Sequence, residues 1–314
     1  STVLLVLVGS FATSTGSGLS VPDWLTSYGW NTVTFPPSKW VGGIFYEHGH
    51  RLIASGVGFL TVILASWLWL ADPRRWMKRL GLTALGAVIL QGALGGITVL
   101  YFLPSAVSTA HAALAEIFFC LTIAIALFTS PGWLRGRDSV DDPMLRRVAA
   151  ATTGLVYVQI LVGATMRHTD AGLAIPDFPW MFGHLIPDHW DAGIAVHFAH
   201  RVGALVVALS TLATAGHIWY HHAGRPGLQR PAVVKVLLVI VQVTLGALTV
   251  LTKRDIWINS VHLVCGALVL ATSILITLRS WRWKFEPTGA TGFESDARQT
   301  SRIGATATPS GVGA

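Results

Sequence analysis

The sequence predicts an all-α integral membrane protein with eight transmembrane helices, arranged as two tandem four-helix bundles related by internal duplication. Three observations carry that expectation. Only 12% of the 314 residues are charged and 52% are hydrophobic, whereas a soluble domain carries about a quarter charged residues. Apolar runs of roughly 20 residues recur along the chain, each long enough to cross a bilayer as a helix. Motifs in the first half return, in order, in the second.

Taken in order, the apolar runs place helices at 1–14, 50–71, 80–103, 107–129, 147–167, 194–219, 232–252 and 257–279. The sequence opens on Ser1 inside an apolar run with no basic stretch before it. That segment reads as a transmembrane helix short of its first residues, not as a signal peptide. The segments 15–49 and 168–193 are long and rich in Trp, Pro and Gly, and Trp24, Trp30, Trp40, Trp180 and Trp190 suit an interfacial belt. The short loops 72–79, 131–147 and 220–230 are basic, and Arg279, Arg282 and Lys284 follow the last helix. The other side holds only Lys39, Lys253 and Arg254, with Arg167 at a helix edge. The positive-inside rule therefore expects both termini in the cytoplasm and the long loops outside.

The resulting division is residues 1–130 as an N-terminal bundle, 131–146 as a cytoplasmic linker, 147–284 as a C-terminal bundle, and 285–314 as a Gly-, Thr-, Ser- and Ala-rich disordered tail. The net charge of +7 and the pI near 9.8 follow from the basic loops. The lipid bilayer is the expected partner and nucleic acid is not. Cys120 and Cys265 lie inside apolar runs, without a Cys-x-x-Cys partner, and read as small buried residues.

The duplication is explicit. Leu7-Val8-Gly9 recurs as Leu161-Val162-Gly163, and Gly18-Leu19-Ser20-Val21-Pro22-Asp23 as Gly172-Leu173-Ala174-Ile175-Pro176-Asp177. His50-Arg51 recurs as His200-Arg201, Gln91-x-x-Leu94-Gly95 as Gln242-x-x-Leu245-Gly246, and His111 as His262. The offsets are 154, 154, 150, 151 and 151, which indicates two parallel units, since four helices return the chain to its starting side. The same offset expects the first helix to begin about seven residues before Ser1.

Each repeat thus carries one histidine at the outer end of its second helix and one at the outer end of its fourth: His50 with His111, and His200 with His262. Ionisable groups inside a membrane are costly and usually mark function. Second and fourth helices are diagonal in a four-helix bundle, so two imidazoles can face each other across a gap that suits a flat macrocycle. Neutral imidazole is a good iron ligand, and bundle cores are common cofactor sites. Four histidines duplicated in register point to haem iron in two bis-histidine sites. Zinc or copper has less support, because no Cys or carboxylate cluster completes a tetrahedral set.

Arg51 and Arg201 follow two of these ligands and have two readings, contacts to haem propionates or snorkelling to the headgroups. Glu47 lies one helical turn before His50 on the same face, and its repeat equivalent is His197. A carboxylate beside one site alone suggests that the first half is catalytic and the second holds a permanent cofactor. The competing reading of Glu47 is an interfacial pair with Arg51 or Lys39. Glu116 inside the fourth helix reads as structural. His48, His168, His184 and His189 read as loop-surface histidines, and His217, His221 and His222 as solvating the cytoplasmic edge.

With those residues in view, the chain resembles the haem A synthase family over residues 1–283. The resemblance rests on Glu47-His48-Gly49-His50-Arg51, on Gly163-Ala164-x-x-Arg167-His168-Thr169 with Gly172-Leu173, on His197-Phe198-Ala199-His200-Arg201, and on the pair His111 and His262. It implies oxidation of a ring methyl of haem O to a formyl group, giving haem A, through successive hydroxylations with oxygen from water. It implies haem b between His200 and His262, the substrate haem between His50 and His111, and Glu47 as the essential carboxylate. Many members carry cysteine pairs in the outer loops, but residues 19–46 and 173–193 contain none. A mechanism that needs that thiol pair is excluded for this chain.

The resemblance further implies the plasma membrane, with the haem sites toward the outer face, and haem O synthase as a partner. The electron acceptor is left open. Small residues such as Gly92, Gly95 and Gly96 would let copies pack as a homo-oligomer. The alternative function is a duplicated bis-histidine b-type cytochrome that passes electrons without modifying haem, and a haem transporter or chaperone stands third.

Overall fold

The computed structural model describes residues 1–135 and 140–282; the expected tail at 285–314 and part of the linker lie outside them. In chain order the helices are α1 (Thr2–Ser14), α2 (Gly43–Ala71), α3 (Arg75–Leu100), α4 (Ser105–Thr129), the short α5 (Pro131–Arg135), α6 (Pro143–His168), α7 (Ala192–His221), α8 (Pro226–Leu251) and α9 (Ile256–Ser280). Seven of these are long and apolar enough to cross a membrane. α1 has 13 residues, about 20 Å of helix against a hydrocarbon core of about 30 Å. The all-α expectation needs one small amendment. Thr26–Ser27 (β1) and Trp30–Asn31 (β2) pair antiparallel as a hairpin in the first long loop.

Several helix starts differ from the sequence expectation, each for a local reason. α2 begins at Gly43, seven residues earlier than expected. Val41-Gly42-Gly43 reads as a loop, but Gly43 is where the first loop packs: a Cβ there would lie 2.1 Å from Ser20 Oγ. α8 begins at Pro226 and runs through Pro231. A proline lacks the N–H that would bond the carbonyl four residues back, here that of Gly227. Arg279 on α9 donates its Nη1 to that carbonyl instead. α6, α7 and α9 each start at an aspartate whose carboxylate accepts first-turn N–H groups: Asp142 from Leu145, Asp191 from Ile194, and Asp255 from Trp257 and Ile258.

Sequential helices pack as neighbours, and the two halves meet in a crossed fashion. α1 packs on α9, α4 packs on α6, and α4 meets α9. Under the repeat α1 corresponds to α6 and α4 to α9, so the first two contacts are equivalents of each other. α4 and α9 are the most buried of the long helices. Phe119 with Ala267 and Ala271 forms the apolar seam between them, flanked by Val6 and Ile123. Phe118, Phe128, Trp133 and Met77 fill the first half, and Val156, Val207, Val239 and Leu270 the second.

Candidate haem-ligand sites

All four repeat-related histidines point at a glycine of a neighbouring helix. A Cβ added at Gly9 of α1 would sit 2.9 Å from Cε1 of His50, and one at Gly163 of α6 would sit 2.8 Å from Cε1 of His200. A Cβ at Gly95 of α3 would sit 3.2 Å from Cε1 of His111, and one at Gly246 of α8 would sit 3.1 Å from Cε1 of His262. A methyl group would displace each ring. The glycines of the duplicated Leu-Val-Gly and Gln-x-x-Leu-Gly motifs therefore exist to seat imidazoles.

The ring nitrogens are under-used. Nδ1 of His50, His111 and His262 is buried with no hydrogen-bond partner. That is unusual for a buried polar atom and calls for a ligand or an ion. Glutamines orient three of the rings. Gln91 Nε2 lies 3.3 Å from Nε2 of His111 and donates to the His111 carbonyl at 3.0 Å. Gln242 Nε2 lies 3.4 Å from Nε2 of His262. Gln159 Nε2 lies 3.1 Å from Nδ1 of His200 and donates to its carbonyl at 2.7 Å. The repeat equivalent of Gln159 is Leu5, so His50 lacks this support. His50 is near enough to His111 for their charges to interact, and His262 to His200.

The residues beside the histidines do something the sequence did not disclose. Glu47 is buried; its Oε2 accepts the backbone N–H of Val21 at 2.7 Å and its Oε1 pairs with Arg51 Nη2 at 2.5 Å. Arg51 also donates to the carbonyls of Val21, Asp23 and Thr26. In the second half, Nδ1 of His197 accepts the N–H of Ile175 at 3.2 Å. Arg201 donates to the carbonyls of Ile175, Asp177 and Trp180. Each half thus clamps its outer loop onto the helix through equivalent residues. Glu47 has the pairing with Arg51 that was its competing reading. The guanidinium groups of Arg51 and Arg201 donate to loop carbonyls, a use that neither sequence reading included.

The clamped loops are internally braced. Asp23 accepts from the N–H groups of Tyr28 and Gly29 and from the Thr26 hydroxyl. Burial pushes this carboxyl up, but the Gly29 N–H, the Thr26 hydroxyl and the Tyr28 N–H outweigh it and hold it at about 2. Asp177 repeats the bonds with Phe182 and Gly183.

Four histidines depart from the surface reading, and one of them, His168 at the end of α6, is half-buried. His48 is fully buried, with Nδ1 at 2.9 Å from Ser27 Oγ and its ring between Phe35 and Trp40. The Trp40–His48 contact recurs as Trp190–Phe198, so this histidine occupies a core position of the loop junction. At the opposite end, Nε2 of His217 and Nε2 of His222 lie 2.7 and 2.8 Å from the same oxygen, Oδ2 of Asp142. Its other oxygen caps α6, so this cluster ties the start of α6 to the end of α7. His184 and His189 are exposed as expected. Glu116 is buried in α4 with Oε2 unpartnered.

The sequence matches the COX15-CtaA family, described as cytochrome oxidase assembly protein, over residues 1–274. It is 28% identical to the heme A synthase of Geobacillus kaustophilus over 289 residues, covering 89% of each chain. It is 27% identical to the heme A synthase of Brucella ovis over 316 residues, covering 87% of this chain and 86% of that one. The chain belongs to the COX15-CtaA family of cytochrome oxidase assembly proteins.

Proposed function

We propose that this membrane protein is an oxidoreductase of haem A biosynthesis that converts haem O to haem A. The observation that carries the reading is the duplicated seat: four imidazoles on four glycines, three of them with a buried, unpartnered Nδ1. The fit to haem is chemical as well as spatial. Imidazole nitrogen without a proton partner is an iron donor. His200 and His262 would hold haem b, and His50 and His111 the substrate haem. Haem b, when bound, supplies one-electron transfer.

The reaction turns a ring methyl into a formyl group with an oxygen atom from water, so electrons and protons must leave the site. Glu47, one turn from His50, is the residue placed to take a proton. Its carboxylate already accepts two bonds, and a carboxylate has lone pairs for more. Gln91 would hold His111 in orientation. The clamped outer loop, closed by Val21 and Arg51, would keep bulk water from the substrate side. The basic loops support an orientation with these sites toward the outer face of the plasma membrane, and a haem O synthase would supply the substrate.

A second reading is a duplicated cytochrome that only passes electrons. It is favoured by one observation: Glu47 and His197 fill the same loop-clamping position, so the carboxylate has a structural use in addition to any chemical one. Expression with and without haem O synthase, followed by haem extraction and mass analysis, separates the two. Haem A synthesis predicts haem O or haem A together with haem b under co-expression. Haem b alone under those conditions favours the electron carrier.

A further inference from the structure

Arg167 stands at the end of α6, between the halves. Its Nη2 donates to the Ser10 carbonyl at 3.1 Å and to Ser14 Oγ at 2.9 Å, both on α1. Ser14 Oγ is fixed in turn by Asn259 Nδ2 and Ser260 Oγ of α9, each at 3.2 Å. The guanidinium is thus oriented by two other helices, yet its Nη1 is buried with no partner. Among the described residues, no carboxylate forms an ion pair with Arg167; Asp170, three residues on, faces Arg254. A buried guanidinium without an anion is costly inside a membrane, and the usual resolution is an anionic partner. Arg prefers carboxylates, which its planar fork matches. Arg167 also lies within electrostatic reach of His262.

Resting on the haem reading above, we propose that Arg167 binds a propionate carboxylate of the macrocycle held between His200 and His262, with Nη1 toward the carboxylate and Nη2 kept on α1. Propionate contact, one of the two readings of Arg51 and Arg201, is here assigned to an arginine with a buried donor that has no partner. It also ties the resident haem of the second half to the first helix of the other half.

The test uses the full chain purified without haem and two probes, iron protoporphyrin IX and its dimethyl ester, which lacks the carboxylates. The wild-type chain should bind the diacid about tenfold or more tightly than the ester, in a low-spin component that His262→Ala removes while any component from the His50 and His111 site remains. Arg167→Gln should lose most of that preference, and Arg167→Lys should keep part of it. In the haem-loaded chain, Arg167→Gln should also lower the midpoint potential, because a positive charge near the iron is removed. Equal affinity of the two probes in the wild-type chain overturns the proposal without recourse to any variant. A preference in Arg167→Gln equal to that of wild type overturns it as well, and in either case the haem reading stands if the low-spin form depends on His262. If neither probe gives a His262-dependent low-spin form, the haem reading itself fails.

Discussion

Glu47 and His197 accept the same bond: a backbone N–H from the outer loop of their own half, given by Val21 to the one and by Ile175 to the other. The residues differ in chemistry and agree in place. A loop clamp needs only an acceptor there, whereas the reaction proposed for the first site would need a carboxylate. Glu47→His installs in the first half what the second half uses. Loop closure should survive it and haem A formation should fall to background, while Glu47→Gln should likewise retain bound haem without product. Extracted haem from co-expressing cells measures both. Undiminished haem A in Glu47→His would reduce Glu47 to a clamp.

The glycine seats allow a site-by-site test. Gly163→Ala should displace His200, and Gly9→Ala should displace His50. Overpacking of this kind costs about 1–3 kcal/mol, which corresponds to roughly fivefold to 150-fold weaker haem retention. The pyridine haemochrome of purified protein should show haem b depleted in Gly163→Ala and kept in Gly9→Ala. The reverse pattern would exchange the proposed roles of the halves.

Arg201→Lys separates loop clamping from contact with a bound macrocycle. A lysine ammonium cannot reproduce the fork that reaches Ile175, Asp177 and Trp180. Faster amide exchange in residues 174–191 is expected, with the haem midpoint potential unchanged. A shifted potential with unchanged exchange would return Arg201 to the haem.

The Asp142 cluster sets a pH dependence. Burial pushes the Asp142 carboxyl up, but the His217 bond, the Leu145 N–H and the His222 bond outweigh it and hold it below the ordinary 3.8. A depressed carboxyl stabilises the fold above its ordinary value and loses that contribution as pH falls toward the folded value. Thermal melts should show wild type more stable than Asp142→Asn at neutral pH, with the gap narrowing only below about pH 3.8. A gap that stays constant as pH falls well below 3.8 would remove the Asp142 carboxylate as its source.

Much of this was legible in the sequence. Membrane helices announce themselves through apolar runs, and the repeat registered the four histidines before any contact was known. The same motifs contained the glycine seats and two of the glutamines; Gly95 and Gly96 read as a packing surface for another copy, but they face His111 and Trp24, because a glycine's purpose is set by what faces it from another helix. His48, Arg167 and the Asp142 cluster escaped for the same reason. Their partners are Ser27, Ser10 with Ser14, and His217 with His222, at separations no local pattern reports. The start of α2 and the passage of α8 through Pro231 were missed because glycine and proline punctuate a chain in isolation. Here Ser20 fills the space at the one, and Arg279 satisfies the carbonyl freed by the other.

The crossed packing of α1 on α9 and α4 on α6 has one more consequence. A surface that pairs with its own repeat is the surface of a twofold dimer. In a dimer of identical subunits, every substitution appears at both centres at once. A single polypeptide removes that constraint, so Leu5 can stand where its counterpart is Gln159, and a carboxylate where its counterpart is an imidazole. Covalent linkage of the pair is what lets two like pockets become unlike.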